Sequence, residues 1–316
     1  MDFSKAFDTV RHYTLLEKMA KLDIPDSCYN WLVDFFSGHS HSTNYGGATS
    51  TNKFVSASII QGSAIGPISY VVNAGDLVTI TPGNLLCKYA DDTYVIVPSA
   101  NIHTRTAEIA NIEQWAIANN LKLNRTKSVE IIFSAKCPSR VSLPPALPEI
   151  RRVKSLKMLG VTMTNRMSAS EHVCDVISRC AQSIHAVRTL RSNGMSDEIL
   201  HVIYKSVILS KLLYASSAWW GFTNAADRQR IDAFVRRGVR SGFYSADSPT
   251  VLELVSDSDD NLFENVLNNQ NHVLHKLLPE RSTHDYYLRP RSHDRLLSVR
   301  VDNKNFLSRM LFKDIY

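Results

Sequence analysis

The 316-residue sequence predicts an α+β domain followed by a mostly helical one. Three observations carry this. Short runs rich in β-forming residues alternate with helical patterns over the first half. Helical stripes follow one another in the second half. Charge falls in blocks: residues 1–165 carry 16 Lys/Arg against 13 Asp/Glu, 166–244 carry 11 against 6, 245–280 carry 1 against 7, and 281–316 carry 8 against 4. A basic block, an acidic bridge and a basic tail predict three modules, 1–165, 166–244 and 245–316.

Residues 6–21 read as a helix, with Phe7, Val10, Leu15 and Met19 apolar near helical spacing. Pro25-Asp26-Ser27 starts a second helix to about residue 36, with Asp26 or Ser27 as N-cap. Gly38, Gly46 and Gly47 break the next stretch, which reads as a short hairpin. Residues 63–80 read as a helix with Gly66-Pro67 in its first turn. The run 85–97 is rich in β-formers and holds Asp91-Asp92, so a tight turn between two strands is predicted. An amphipathic helix over 102–122, a strand over 129–133, a Pro-rich loop over 138–148 and a hairpin over 153–163 follow. Helices are then predicted over 170–192, 196–220 and 225–243, punctuated by Gly194 and Gly221.

Hydrophobic residues make up 44% of the chain and charged residues 21%, which excludes a disordered polypeptide. The N-terminal residues lack the apolar core of a signal peptide, and no run approaches 18 apolar residues, so neither secretion nor a membrane span is expected. The five cysteines (28, 87, 137, 174 and 180) are irregularly spaced, with no CxxC pair. An intracellular, reducing setting in the cytoplasm or nucleus is expected. A net charge of +6 hints at a polyanionic partner.

Tyr89-Ala90-Asp91-Asp92 is the centre of the functional reading. Two carboxylates at a hairpin tip repel each other unless something positive stabilises them, and a divalent cation with oxygen ligands is the natural candidate. Solvated acids in a surface turn are the plain alternative. Other motifs flank this one. Asp2-Phe3-Ser4-Lys5-Ala6-Phe7-Asp8 stands at a strand-to-helix junction. Gln61-Gly62-Ser63-Ala64-Ile65-Gly66-Pro67 opens a helix. Asn124-Arg125-Thr126-Lys127-Ser128 follows a long helix, and Met158-Leu159-Gly160-Val161 lies in a late hairpin.

In this order the motifs resemble the palm of reverse transcriptases, specifically those of LINE-type (non-LTR) retrotransposons of the jockey-like kind. The resemblance extends downstream through Leu213-Tyr214-Ala215-Ser216, Arg236-Arg237-Gly238-Val239-Arg240-Ser241 and Asn305-Phe306-Leu307-Ser308. It implies an RNA-directed DNA polymerase with a right-hand architecture. The palm, an antiparallel sheet with helices on one face, would occupy 1–165, a helical thumb 166–244, and a C-terminal helical extension with a basic tail 245–316.

The implied roles run residue by residue. Asp2 matches the first metal-binding aspartate, Asp91 the second, and Asp92 a third, less central acid. Together they would hold two Mg²⁺ ions, with Mn²⁺ a possible substitute, about 3.5–4 Å apart for nucleotidyl transfer. Phe7 matches the steric gate against a ribose 2′-hydroxyl, with a core aromatic as the plain reading. Gln61 and Gly62 match residues contacting nucleotide and template. Lys127 matches a candidate general acid toward pyrophosphate, or is an exposed lysine beside a strand. Arg236, Arg237 and Arg240 share a helix face by i, i+4 spacing and are candidates to follow a phosphate backbone, or form an ordinary solvated face.

The implied partners are an RNA template, a DNA primer and a deoxynucleoside triphosphate, with no membrane and no obligate protein partner. The sequence starts at the first catalytic aspartate, so a truncated form lacking fingers and endonuclease is expected. Such a form would have a frayed Asp2 and little polymerase activity by itself. The alternative is a non-catalytic nucleic-acid-binding remnant. Asp2, Asp91 and Asp92 are expected to converge at one rim of the sheet, and 170–243 to form a separate helical subdomain.

Overall fold

The computed structural model describes residues 1–60, 62–134, 143–281, 293–297 and 302–313. Gln61 and residues 138–142 of the Pro-rich loop over 138–148 lie outside the described residues. Two compact units emerge: residues 1–130 with 138–153, and residues 131–137 with 154–316. The boundary drawn from sequence at 165 thus falls later than this division. The hairpin over 153–163 goes with the helical unit because Val161 and Met163 are buried in the helical core.

In the first unit, α1 (Ala6–Thr9) and α2 (His12–Met19) replace the single helix predicted over 6–21. Val10 and Arg11 between them are extended. Tertiary hydrogen bonds override the helical pattern here. Ser58 N–H donates to Val10 O (2.9 Å), His12 N–H to Ser56 O (3.0 Å) and Ile59 N–H to Phe7 O (2.7 Å). Next, α3 (Asp26–Phe36) takes its N-cap from Pro25, one residue before the predicted cap. Residues 37–60 form β1 (Ser40–His41), β2 (Asn44–Tyr45), β3 (Ala48–Thr49) and β4 (Lys53–Phe54), with β1 paired to β4 and β2 to β3.

The next helix, α4 (Gly66–Asn73), is shorter than predicted. A Cβ on Gly66 would stand 2.9 Å from Ile60 O, so only glycine allows this approach. The helix ends where two lysines take its last carbonyls. Lys18 Nζ donates to Asn73 O (2.5 Å), and Lys88 Nζ to Ala74 O (2.6 Å) and Leu77 O (2.9 Å).

The predicted tight turn joins β5 (Leu85–Tyr89) to β6 (Asp92–Ile96). A 3₁₀ turn over Ser99–Thr104 leads into α5 (Arg105–Ala118). That helix stops in a Schellman turn. Leu121 N–H donates to Ala116 O (2.7 Å), Asn120 N–H to Ile117 O (3.2 Å), and Asn120 is left-handed at φ 59°. The turn redirects the chain into the extended stretch that bridges Leu123 to Phe3. β7 (Val129–Ile131) and β8 (Arg151–Val153) complete the strands of this region. The unit's core holds Val10, Leu15, Tyr70, Ile112 and Ala116.

The described strands pair only two at a time. This corrects the expectation of one antiparallel sheet with helices on one face. The strands are two to five residues long, and strands this short offer few ladder bonds for recruiting a third partner.

The second unit starts its helices after the hairpin of β9 (Ser155–Met158) and β10 (Val161–Thr164). Helix α6 (Ser170–Ser192) buries Val173, Val176, Cys180, Ile184 and Val187, the three-to-four spacing of an amphipathic helix. The helix predicted over 196–220 is divided. α7 (Asp197–Ile203) passes into a π-helical turn over Tyr204–Leu209, then α8 (Ser210–Leu212) and α9 (Ser216–Trp219). The π turn begins where Tyr204 is wedged against α10 (Ala225–Arg240). A Cβ on Gly238 would meet the Tyr204 hydroxyl at 2.2 Å.

By length and composition, Asp197–Phe222 is one helical stretch apolar enough to cross a membrane, contrary to the sequence expectation. Its residues Leu200, Tyr204, Ile208, Leu212 and Trp219 are buried in the core of this unit.

Capping boxes start α10 at Asn224/Asp227 and α11 (Val251–Asn268) at Thr250/Glu253. The acidic bridge and the basic tail pair inside this unit. From α12 (Phe306–Leu311), Arg309 reaches Asp259 (2.6 Å), and beyond it Lys313 reaches Asp260 (2.6 Å).

Glu108 yields a test of the first unit. Its carboxylate is fully buried and accepts from Thr81 N–H (2.9 Å), Ile80 N–H (3.2 Å) and Asn84 Nδ2 (2.8 Å). Burial opposes its charge, but these bonds outweigh burial and hold the carboxyl below the ordinary glutamate range. A lowered folded pKa means that the stabilisation is complete above the ordinary range and is lost as pH falls through it and below. Glu108→Gln should lower the unfolding free energy by about 2 kcal/mol at pH 7, read from urea midpoints. The gap to wild type should narrow toward pH 3; a pH-independent gap would show that the charge is irrelevant.

Candidate active site

The hairpin of β5 and β6 presents Ala90-Asp91 as a two-residue loop, closed by the Tyr89–Asp92 pair. Ala90 is left-handed at φ 50°, a strained state for a residue with a side chain that persists only when its surroundings enforce it. Part of that enforcement comes from Lys88, one residue before Tyr89. Its ammonium is tied to the carbonyls after α4, and burial lowers its pKa. The hairpin is thereby fastened to α4.

Asp2 is fixed by three backbone bonds on either side of its side chain. Met1 nitrogen donates to Thr93 O (2.8 Å), Asp2 N–H to Ser128 Oγ (3.1 Å), and Asn124 N–H to Asp2 O (2.8 Å). Ser4 N–H donates to Lys122 O (2.9 Å). The expectation of a frayed Asp2 is therefore corrected: the segment is bonded to Thr93 of β6 and to the stretch 122–128, with Phe3 bridged to Leu123. The N-terminal motif is thereby bonded to segments 92 and 126 residues further along the chain.

The stretch 124–128 is itself rigid. Asn124 Oδ1 accepts from Thr126 Oγ1 (2.8 Å) and Lys127 N–H (3.1 Å), and Ser128 Oγ donates to Asn124 O (2.8 Å). Arg125 forms a two-pronged pair with Glu113 of α5 (2.5 and 2.7 Å), which lowers the Glu113 pKa. Lys127 is left exposed at the tip.

Phe7 is half-buried and stacks on Tyr70 of α4, with ring centroids 4.9 Å apart and planes at 28°. Tyr70 is 1% exposed, and its hydroxyl has no partner among the described residues. Burial, and then the charge of Asp91, raise the Tyr70 pKa. Tyr70 therefore touches Phe7 and senses Asp91. Gly62 sits at φ +86° with open space around it, a position where a substrate can approach backbone closely. Gln61 lies outside the described residues.

Among the described residues, no three His, Cys, Asp or Glu side chains gather closely enough to hold a metal ion. Asp2, Asp91 and Asp92 do not form a ready three-acid ligand set. Asp91 is in the turn, whereas Asp92 opens β6. Hard oxygen donors on adjacent segments still suit Mg²⁺. This ion is usually held by one or two carboxylates, with water and substrate phosphates completing its shell.

In the second unit, Arg236, Arg237 and Arg240 are exposed on α10. Arg236 and Arg240 line an open groove of about 800 Å³ with Tyr244, Pro249 and Leu252. Arg237 lies a further 100° around the helix and covers the Phe234 ring at 5.7 Å, so the three are not on one narrow face.

Sequence reasoning did not single out Tyr70, Lys88 or Glu108, and gave Ser128 no role beyond membership of the 124–128 motif. A lysine within an apolar strand and a serine closing a polar turn were the signals available for Lys88 and Ser128.

Residues 1–163 match the family model described as "Reverse transcriptase (RNA-dependent DNA polymerase)". The chain is 30% identical over 230 residues to the RNA-directed DNA polymerase from mobile element jockey of Drosophila melanogaster, covering 68% of this chain and 25% of that protein. It is 27% identical over 255 residues to the probable RNA-directed DNA polymerase from transposon X-element of the same organism, covering 76% and 27%. It is also 24% identical over 268 residues to the Pol polyprotein from type-1 retrotransposable element R2 of Popillia japonica, covering 77% and 42%. The chain spans about a quarter of the length of the first two relatives.

The clamp on Asp2 can be tested by Ser128→Ala. Ser128 is 1% exposed, so its removal leaves the Asp2 amide without a partner in a dry site. The unfolding free energy should fall by about 1–3 kcal/mol, and amide exchange at Asp2 and Phe3 should accelerate. Unchanged exchange would show that the bond does not hold the segment.

Proposed function

The chain belongs to the reverse transcriptase (RNA-dependent DNA polymerase) family, and we propose that it is the palm and helical thumb of a jockey-like non-LTR retrotransposon polymerase. It would extend a DNA primer on an RNA template by transfer of a deoxynucleotide to the primer 3′-hydroxyl. The observation that carries this reading is the clamp joining Asp2, the Asp91-Asp92 hairpin and the Lys127 turn through backbone bonds.

Asp2 and Asp91 would hold Mg²⁺, or Mn²⁺ in its place, with Asp92 as an outer acid. When bound, such ions neutralise triphosphate charge and lower the pKa of the primer hydroxyl. The chain's own residues supply position. Phe7, backed by Tyr70, would stand as the gate against a 2′-hydroxyl, since a stacked ring cannot swing aside. Gly62 and the neighbouring Gln61 would meet the nucleotide and the template. Exposed Lys127, on a turn locked by Asn124, would offer a proton toward the leaving pyrophosphate. Such work is positioning and electrostatics, with little covalent chemistry for the protein.

Arg236, Arg237 and Arg240 would follow the phosphates of the template–primer. Among the described residues none of the three is in an ion pair, whereas Arg309 and Lys313 are already neutralised. Replacing all three with Ala should flatten the slope of log K against log[salt] for an RNA–DNA hybrid by about 0.7–0.9 per lost phosphate contact. An unchanged slope would make them a solvated surface.

The metal reading is tested without relying on turnover. Mn²⁺ should broaden the amide signals of Phe3 and of residues 89–93, and Asp91→Ala should abolish the broadening. In primer extension on poly-riboadenylate with an oligo-thymidylate primer, Asp91→Ala should reduce any Mg²⁺-dependent activity more than about a hundredfold. Broadening that survives Asp91→Ala would refute the assignment. Hybrid binding with neither broadening nor extension would identify a non-catalytic nucleic-acid-binding protein.

A further inference from the structure

Ser58 is a serine in a backbone conformation that suits glycine. Its φ of 135° lies where a residue with a side chain is rarely found, and such a state persists only when the surroundings enforce it. Both of its backbone groups are held. Its N–H donates to Val10 O (2.9 Å), and its carbonyl accepts from His12 Nε2 (2.8 Å). A carbonyl oxygen only accepts, so His12 carries a proton on Nε2.

His12 is itself held for this contact. It is 6% exposed, and the rings of Phe36 (centroids 5.0 Å apart) and His39 (6.0 Å) flank it and restrict its rotation. It is the first residue of α2, and its own N–H donates to Ser56 O (3.0 Å). One residue thus grips the segment 56–58 through its backbone and its ring, with the Arg11–Ala57 bridge alongside.

Two parts of the candidate site depend on that grip. Ile59, next in the chain, is 1% exposed, and its N–H donates to Phe7 O (2.7 Å). Ile60 O accepts from Ser63 Oγ (2.7 Å) and lies against Gly66, where α4 begins. Between Ile60 and Ser63 stands Gly62 at φ +86°. The conformation at Ser58 therefore governs both the backbone beneath Phe7 and the path of the chain into Gly62.

We propose that His12 is a positioning residue for discrimination between deoxyribose and ribose. Its Nε2–H bond locks Ser58, and Ser58 sets the gap between the Phe7 ring and Gly62. His12 is buried and touches no substrate; it acts through Ser58 and Ile59. This rests on the polymerase reading of Phe7 and Gly62. A 2′-hydroxyl is turned away only by a ring that stays in place, so the backbone that carries the ring decides the selectivity.

The test measures dTTP and UTP binding to the full chain by titration calorimetry, with Mg²⁺, poly-riboadenylate and a dideoxy-terminated oligo-thymidylate primer that cannot be extended. The readout is the ratio of the two affinities, because a general loss of stability lowers both alike. His12→Phe keeps a ring and drops the donor. It should cut the preference for dTTP about fivefold, the equivalent of one hydrogen bond. His12→Gln, whose amide nitrogen can take the place of Nε2, should restore it. Ser58→Gly added to His12→Phe should also restore it, because glycine adopts this φ without enforcement. A His12 that merely filled space would gain nothing from Ser58→Gly. Should His12→Phe not fold, His12→Asn, whose shorter amide falls short of Ser58 O, takes its place with the same expected result. An unchanged dTTP:UTP ratio, or a loss that neither His12→Gln nor Ser58→Gly restores, overturns the positioning role alone. A wild-type chain that binds neither nucleotide, or both alike, refutes the polymerase reading of Phe7 and takes the positioning role with it.

Discussion

A carboxylate meets a cation productively only if the backbone beneath it is fixed, and in the first unit that fixing rests on one short N-terminal segment. Residues 1–4 lie between Thr93 on one side and Lys122, Asn124 and Ser128 on the other. Each contact depends on an element built elsewhere. The stretch 121–124 arrives there because the Schellman turn at Asn120 ends α5 and reverses the chain. Thr93 is in place because the hairpin is anchored through Lys88. Breaking the clamp would therefore separate the N-terminal motif from segments 92 and 126 residues further along the chain, although none of the acids would itself have changed.

Two lysines of this unit meet around one helix end. Lys18 and Lys88 converge on the carbonyls that α4 leaves unsatisfied. A helix C-terminus carries partial negative charge, so cations there are favoured as well as hydrogen-bonded. The arrangement fixes α4 against α2 and the β5–β6 hairpin together. Tyr70, on the same helix, then stands between Phe7 and the charge of Asp91. The buried Tyr70 hydroxyl without a partner is an uncompensated cost within this layer.

How much of this was legible in the sequence depended on how local the cause was. The Ala90-Asp91 turn and the stripe of α6 follow from neighbouring residues, and the motif residues were identifiable from their order, whereas α4 stops at Asn73, where Lys18 and Lys88 arrive from elsewhere in the sequence. The break between α1 and α2 was not legible, because Val10 and Arg11 are helix-compatible until residues 56–59 claim their backbone groups. The π turn at Tyr204 was hidden for a similar reason: its cause is Gly238, 34 residues later. The single sheet was over-read, since alternating patterns indicate strands but not how many partners each one has. Three acids in sequence motifs likewise did not announce that, among the described residues, they would not gather into a ready ligand set.

The charge blocks illustrate why pattern needs packing before it becomes function. The acidic bridge and basic tail carry opposite charge within the expected module 245–316, and Asp259 pairs with Arg309 and Asp260 with Lys313. Their charges are spent on each other. The Arg309 pair is largely buried, and removing one partner would strand the other in a poorly solvated place. Cations in no such pair among the described residues, Arg236, Arg237 and Arg240 on α10 and Lys211 on α8 among them, remain for an outside polyanion. A net charge of +6 understates them, because the neutralised residues dilute the count without contributing to the field a ligand would meet.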